Sequence, residues 1–393
     1  MKKKLLAAAV AAALTLSLGG TVFAAEDKDI AMLKAEIDKL NAKVTQLEAK
    51  QTATAAKANS ADAKAKINFF FDNRIEYTRS SLGPNDGGGW AGGNGKIDQK
   101  GQFMERIRMY MNAKVGDQWQ WDSRFVQAKF NINNPADSSA RFDRFWVTNN
   151  DLLGGKVEMG KMMLYPGKGS FYGNTGDTEG LFYTTKFDKL SMRIGNARNS
   201  GIAGQPGTDV SFVEATYRPT KKSDIGAYIL KQDAMSGVKD MDLQVINGAM
   251  EIPNSNGLAL SFEYAKNKAE GYQKSGYFVA IQSKYAATNY MPALYTSMVN
   301  PFKVKDHGWA LSYRHMPRGV AGFMNRGGFS WVPLTTDDDG TWQNSFDDIN
   351  AWRVDYVYVP WKNVQWTLSY DHIKPINGNW TNNSIQSTFN FFF

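Results

Sequence analysis

Segments in which apolar and polar residues alternate recur from Ile67 to the end of the chain, and this pattern constrains the fold more than any other feature. In the first segment Ile67, Phe69 and Ile75 take one set of alternate positions, while Asp72 and Glu76 take the other. Successive side chains of a β-strand point to opposite sides, so this period of two predicts strands with one apolar and one polar face. The pattern recurs near residues 107–115, 190–194, 258–264, 352–358 and 364–371. Such repetition is typical of a transmembrane β-barrel, whose strands face lipid on one side and a wet interior on the other.

The connections between these segments alternate between short and long. Short turns are predicted at residues 116–118, 187–189, 219–222 and 360–363, and long polar connections at 80–101, 165–178, 198–209, 316–347 and 373–383. Bacterial barrels carry short turns at the periplasmic end and long loops at the external end. We therefore predict an all-β fold over residues 67–393, a transmembrane antiparallel β-barrel of about 16 strands, with the even strand number usual for such barrels.

Two places leave the strand count open. Residues 329–333 could form one more strand, but counting it would break the even number. Residues 286–306 stand where a short turn belongs, and they are too long for one. We interpret them as an insertion that includes a helical turn.

Aromatic residues mark the strand ends and the end of the chain. Phe389, Phe391 and Phe393 share one face of the last segment, whereas Phe392 would point to the other. A closing strand with a terminal aromatic residue resembles the signal that the outer-membrane assembly machinery recognises, and these three residues are predicted to be that signal. Tryptophans also cluster at strand ends, as in the aromatic girdles of membrane barrels, with ordinary sheet packing as the alternative. They are Trp119, Trp121, Trp309, Trp352, Trp361 and Trp366.

Residues 1–24 have the features of a secretory signal peptide. Lys2 to Lys4 provide positive charge, residues 5–18 are apolar, and Ala24 ends a small-residue cleavage site. Cleavage there predicts an exported chain that begins at Ala25. A retained membrane anchor is the alternative, but the apolar stretch is short for a bilayer.

The sequence of residues 25–51 predicts a short coiled-coil helix, which would lie in the periplasm after export. Ile30, Ile37 and Val44 recur every seven residues, and a Leu follows each by three positions. This a/d pattern by itself favours two strands, but a barrel interface would favour three, so we predict a homotrimer. A lone amphipathic helix is the alternative. Residues 52–66, rich in Ala and Lys, are predicted to be a linker.

Charge and motif content argue against other functional classes. The formal net charge is +8 without a dense basic stripe, so nucleic acid is not a predicted partner. The chain has no Cys, and its three His are not spaced as a metal pair. Residues 87–95 lack the context of a phosphate loop, and residues 167–170 do not match a nucleophile elbow. We predict no enzyme, metal or cofactor; the acidic residues 337–339 are interpreted as a solvated loop, with calcium or lipopolysaccharide bridging as the alternative.

Several stretches resemble bacterial porins, either around the third, inward-folding loop of the barrel or in its last hairpin. They are residues 142–147, 155–161, 178–181, 352–356, 360–364 and 370–371. The chain resembles in particular the large outer-membrane porins of two-membraned Firmicutes, over residues 67–393 in the order of elements. Those proteins usually carry an S-layer-homology domain that binds peptidoglycan, and no such domain lies between Ala25 and the predicted coil.

The resemblance implies an outer-membrane porin for passive diffusion of small polar solutes and ions, in contact with lipid and lipopolysaccharide. A barrel of about 16 strands encloses water rather than packed side chains. The third loop, near residues 165–178, would narrow the pore and offer Lys168, Asp177 and Glu179. Opposed charges across such a constriction select solutes by size and charge, and an excess of Arg predicts a weak anion preference. The predicted pore-lining arginines are Arg74, Arg106, Arg108, Arg124, Arg144 and Arg193.

Alternatives stay open. The chain could be a structural tether from outer membrane to cell wall, with peptidoglycan bound by the coil or by Lys57, Lys64 and Lys66. It could be a substrate-specific channel for sugars or anions. An outer-membrane enzyme such as a lipase is disfavoured because a nucleophile–base set is missing. For each pore-lining Arg, a contact at the rim or with lipopolysaccharide is the alternative.

Overall fold

The structure is a computed structural model that describes most of the chain from Ile67 onward. Of residues 1–66 it describes Asp38, Ala42 and Thr45, which are helical. The predicted signal peptide, coiled coil and linker therefore lie outside the described residues. The described ranges are residues 67–81, 102–129, 138–172, 174–199, 208–233, 240–271, 274–288, 297–320, 335–336, 342–343, 348–377 and 381–393.

Within these ranges the chain forms 18 strands, 16 of which close into an antiparallel barrel. The strands are β1 (Ile67–Ser80), β2 (Gln102–Val115), β3 (Trp119–Lys129), β4 (Ser138–Leu152), β5 (Gly155–Leu164), β6 (Asn174–Phe187), β7 (Leu190–Asn199), β8 (Thr208–Thr220), β9 (Ser223–Gln232), β10 (Met241–Glu251), β11 (Ala259–Asn267), β12 (Ser275–Gln282), β13 (His307–Met316), β14 (Thr335–Thr336), β15 (Trp342–Gln343), β16 (Ile349–Trp361), β17 (Val364–Pro375) and β18 (Asn382–Phe392). Strands β14 and β15 pair only with each other, between β13 and β16. The predicted all-β antiparallel barrel of about 16 strands is confirmed.

The first and last strands close the barrel. Their register pairs Asp72 with Phe392 at one end and Ser80 with Ser384 at the other. The N–H of Phe71 donates to the carbonyl oxygen of Phe393 at 3.1 Å, and the N–H of Phe393 donates back to Phe71 at 2.9 Å. Because every barrel strand then has two partners, the main-chain hydrogen bonds are satisfied around the whole ring.

The two ends of the barrel differ in their connections. We call the end with short connections the turn end and the opposite end the loop end. The four short turns predicted from the sequence all lie at the turn end, and left-handed φ angles at Asp188 (51°) and Asn363 (68°) tighten two of them. Two connections at this end were not predicted, the turn at Leu153 and Gly154 and the connection of residues 252–258 between β10 and β11; Leu is uncommon at a positive φ and gave no signal at the first. The chain itself ends at the turn end.

The long connection predicted between β12 and β13 is an insertion at the turn end (the turn-end insertion, residues 283–306). It contains helical residues at Ser297 and Met298, as the prediction of a helical turn expected. Its second leg joins β16, since the N–H of Lys305 donates to the carbonyl of Val359 at 2.8 Å. The strand considered at residues 329–333 lies outside the described residues.

The outward face of the barrel is apolar and exposed. Side chains such as Phe69, Phe145 and Leu181 are more than half exposed. The tryptophans predicted for a girdle include Trp309, which is partly exposed, and Trp361, which is 65% exposed at the turn end of β16. Within the described part of the chain, no helix has the length and apolar character needed to cross a membrane.

The interior has two unlike halves. From β10 to β17, inward-facing residues are buried at every position except near strand ends, and we call this the covered half. The cover comes from Leu164, Phe171 and Tyr172 after β5, and from Val320 after β13. On β1 to β7 many inward-facing residues stay partly exposed, and we call this the charged half. The covered half is a packed core, whereas the charged half borders open space.

Candidate functional site

Arginine side chains from four neighbouring strands meet on the inner surface of the charged half. Arg74 of β1 pairs directly with Arg106 of β2, and Arg124 of β3 pairs directly with Arg144 of β4. Arg108 lies two residues beyond Arg106 on the same face. Like charges directly opposite each other destabilise a sheet, so this arrangement is not explained by folding stability.

Three carboxylates partly compensate these arginines. Asp72 lies 3.6 Å from the Arg106 guanidinium and accepts a 2.8 Å hydrogen bond from the Tyr110 hydroxyl. Glu76 lies 3.7 Å from Arg74. The tightest pair is Arg124 with Asp143, in which Arg124 Nε donates at 2.8 Å.

The balance of this cluster is positive. Among the described inward-facing side chains near this cluster, five arginines face four carboxylates, the three named above and Asp122 two residues before Arg124, a surplus of one positive charge. Arg74 and Arg106 also keep 14% and 11% of their side chains exposed, so water reaches them. Charge that is incompletely paired and reached by water attracts mobile anions.

Arg193 extends the same face to β7. Its guanidinium lies over the rings of Phe182, at 4.8 Å, and Phe212, at 5.2 Å. Glu214 on β8 is 4.0 Å away. Stacking on two rings holds the planar guanidinium in place without neutralising it, so Arg193 adds positive charge at the edge of the charged half.

The connection after β5 folds into the barrel, as predicted for the third loop. We call residues 165–172 the inward loop. Its backbone binds carboxylates of the wall: the N–H of Gly167 donates to Glu214 at 2.8 Å, and the N–H groups of Lys168 and Ser170 donate to the two oxygens of Glu263 at 3.2 and 2.8 Å. These bonds satisfy carboxylates that would otherwise be buried without partners.

Gly167 makes this approach possible. Its φ is +60°, a conformation that favours glycine, and a Cβ there would lie 2.5 Å from a Glu263 oxygen and 2.7 Å from the Tyr228 ring. Phe171 and Tyr172 are fully buried next to it. The loop is therefore packed on the wall and stands between the covered half and the open space.

The three residues predicted from the third loop and its edge have different placements. The Lys168 ammonium bonds to Asp224 and only 2% of its side chain is exposed, so its charge is directed at the wall. Glu179 is exposed and shares the face of Leu181, whose side chain is outward and 53% exposed. Both placements differ from the predicted constriction. Asp177 belongs to β6, and its side chain lies outside the described residues.

By contrast, all six predicted arginines lie on inward faces. Sequence analysis did not single out the acids that hold the inward loop, Glu214, Asp224 and Glu263. Glu263 stands on a polar set of alternate positions, but Glu214 shares its face with Val210 and Phe212, and Asp224 shares its face with Tyr228 and Leu230, so alternation gave no clear signal for these two. What the alternation does not reveal is that a loop donates hydrogen bonds to them.

Similar folds are found among solved structures but not among family models or curated proteins. No protein-family model matches the chain, and no curated protein matches it. Among solved structures, a triple mutant of Rhodopseudomonas blastica porin is similar with a TM-score of 0.47 and 10% identity, over 84% of this chain and 100% of that chain. A double mutant of the same porin has a TM-score of 0.47 and 9% identity over the same shares. We draw no functional conclusion from likeness at this level and argue function from the barrel of this chain.

The arrangement of the two faces is suited to the passage of solutes through the barrel. A closed ring with an apolar outer face and a partly hydrated, charged inner face suits a barrel that crosses a bilayer and encloses an aqueous path. Among the described residues, no group of His, Asp or Glu is placed to hold a metal ion. The arginine cluster and the inward loop face this path from its two sides.

Proposed function

We propose that the protein is an outer-membrane pore for passive diffusion of small polar solutes and ions. The observation that carries the proposal is the contrast between the two faces of one closed ring. Its outer face exposes apolar side chains, while the inner face of the charged half keeps arginines and carboxylates in contact with water. Only lipid outside and water inside make both faces favourable.

The pore has a weak preference for anions. On the covered half, Asp355 and Asp371 accept hydrogen bonds from Arg353, and Glu263 accepts hydrogen bonds from the inward loop. These carboxylates thus have partners within the protein. The charged half keeps the positive surplus of its arginines. Fixed charges along a narrow aqueous path select ions by sign, so this surplus favours anions. The pore-lining residues are Arg74, Arg106, Arg108, Arg124, Arg144 and Arg193.

Further parts of the proposal concern residues that the barrel alone does not test. Residues 1–24 act as a signal peptide, and residues 25–51 form a periplasmic coiled coil that supports a homotrimer. Phe389, Phe391 and Phe393 serve as the signal for the outer-membrane assembly machinery. Lipid and lipopolysaccharide are the surroundings of the barrel.

Reconstitution tests the pore directly. Purified full-length protein in planar lipid bilayers should give stepwise conductance increases, and proteoliposomes should swell in small sugars but not in large ones. In a salt gradient, the reversal potential should have the sign expected for anion selectivity, and it should be small. Folded protein that gives neither conductance nor swelling would refute the proposal, and a strong cation selectivity would refute the anion preference alone.

A further inference from the structure

The inward loop and the turn-end insertion enter the barrel from opposite ends and meet inside it. The inward loop follows β5 at the loop end, whereas the insertion follows β12 at the turn end. Lys168 Nζ donates to the carbonyl oxygen of Ala287 at 3.1 Å, and Thr288 Oγ1 donates to the carbonyl oxygen of Lys168 at 3.2 Å. Two segments separated in the chain by seven strands, β6 to β12, therefore share hydrogen bonds in the interior.

A single carboxylate joins the two segments to the wall. Asp224, the second residue of β9, accepts hydrogen bonds from Lys168 Nζ on one oxygen and from the Tyr285 hydroxyl on the other. Asp224 is only 6% exposed. Burial lowers the pKa of Lys168, although the attraction of Asp224 opposes this shift. Burial and the bond to Asp224 raise the pKa of Tyr285 above its ordinary value, so its hydroxyl stays protonated and can donate.

The insertion is itself fixed to the barrel. Asp306 accepts hydrogen bonds from Lys284 Nζ at 2.7 Å and from the N–H of Asn300 at 2.9 Å, which ties its two legs together. Apolar side chains of the insertion also pack on the inner surface of β13 and β16. This cluster consists of Ala286, Met298, Val299, Ala310, Val357 and Val359. A segment with this packing can hold another in place, which an ordinary two-residue turn cannot.

We propose that the turn-end insertion is a latch for the inward loop, and that Asp224, Tyr285 and Thr288 are positioning residues that set the cross-section of the pore. The latch holds the loop from the turn end, while Glu214 and Glu263 hold it from the wall. Without the latch the loop keeps its wall contacts but gains freedom to move into the aqueous path. The inference rests on the proposed function as a pore.

The test uses full-length protein with Tyr285→Phe, Asp224→Asn, and Lys168→Met combined with Asp224→Asn. Tyr285→Phe removes one hydroxyl, whereas Asp224→Asn leaves the Lys168 ammonium without its carboxylate. The matched control is Glu251→Gln, which removes the partner of Lys222 at the exposed rim of the turn end (Nζ to carboxylate oxygen 2.6 Å). Mobility of heated and unheated protein in detergent gels shows that each variant is folded.

Single-channel recording and the sugar size limit for liposome swelling are the readouts. We expect Tyr285→Phe to raise the time spent in altered conductance levels about three- to tenfold, the change that follows loss of one hydrogen bond of this kind. Asp224→Asn should have a larger effect, and the double variant should still differ from wild type, because Lys168→Met removes the unpaired ammonium but also the bond to Ala287. Glu251→Gln should behave as wild type.

The outcomes separate the latch from the pore. Folded Tyr285→Phe and Asp224→Asn proteins with wild-type conductance levels and size limit overturn the latch. The same holds if Glu251→Gln changes the pore as much as they do. If Asp224→Asn does not fold, Tyr285→Phe decides alone. Wild-type protein that does not conduct refutes the pore, and with it the premise of the latch.

Discussion

The covered half and the charged half of the barrel are both made from alternating strands, but they differ in how completely their arginines are paired with carboxylates. On the covered half, Arg353 is fully surrounded and bonds to Asp355 at 2.7 Å and to Asp371 at 3.1 Å. On the charged half, Arg74 and Arg106 directly face each other and share few acids. The first arrangement is closed within the protein, and the second is completed only by water and ions.

This difference indicates that the loops, more than the strands, decide where the proposed pore runs. The buried cluster that includes residues of the inward loop extends over inward faces from β8 to β17, and the turn-end insertion packs on β13 and β16, so this surface is removed from water. Polar residues beneath them must find protein partners, because an unpaired buried polar group is costly. The uncovered strands keep their charges available to solutes. The path of the proposed pore is therefore displaced toward β1 to β7.

The largest expected effect tests whether the covered half is dry. Arg353→Met leaves Asp355 and Asp371 buried without a cation, and breaking a buried pair in this way costs ~3–5 kcal/mol of unfolding free energy. Urea unfolding of the detergent-solubilised barrel measures it. In the control Arg198→Met, the partner Asp209 is 56% exposed, so the cost is ~0–1 kcal/mol. Similar losses for both variants would contradict a dry covered half.

A second variant loosens the cover itself. Gly167→Ala forces a Cβ to within 2.5 Å of Glu263, and a strained contact of this kind costs ~1–3 kcal/mol. We expect lower stability in urea and altered conductance. The control is Gly116→Ala, since Gly116 has a similar φ of +65° with nothing within 4 Å of its Cβ position. If the two variants behave alike, the loop is not held by its contact with the wall.

Charge reversal sharpens the comparison on the open side. Arg106→Glu with Arg108→Glu should turn the positive surplus of the charged half into a negative one. We expect the ratio of anion to cation permeability to fall about tenfold, equivalent to ~1.4 kcal/mol, with a change in the sign of the reversal potential. The control pair Arg198→Glu and Lys231→Glu alters exposed residues on outward positions of β7 and β9. An unchanged reversal potential in the first pair would place the ion path elsewhere.

The smallest expected change in stability concerns the seam next to the charged half. Phe393→Ala keeps the two backbone bonds to Phe71 and removes a ring that is 67% exposed, so unfolding in urea should shift by ~0.5 kcal/mol or less. If Phe393 is an assembly signal, the amount of folded barrel in cells should nevertheless fall clearly. Leu153→Ala, another exposed apolar residue at the turn end, is the control. Normal assembly of Phe393→Ala argues against the signal.

Alternation predicted which side of a strand a residue faces, whereas the role of the inward-facing arginines in lining a pore stays a prediction. The six arginines of the proposed pore all stand on the polar positions of their strands, and all face inward. The turns with Gly116, Asp188 and Asn363 at positive φ were predicted, whereas the turn at Leu153 and the connection with Asn254, Asn256 and Gly257 at positive φ were not. The closing contact of Phe392 was predicted in part: it points inward, and its ring lies 6.4 Å from that of Phe70.

Alternation along the strands by itself determined that this chain forms antiparallel strands with an apolar and a polar face, because a period of two is a local property of neighbouring residues. Only the tertiary structure decided which part of the polar face stays wet. The bonds that settle it join Lys168 to Asp224 and to Ala287, 56 and 119 residues away. No local pattern records such pairs, since they depend on where two loops come to rest inside a closed ring.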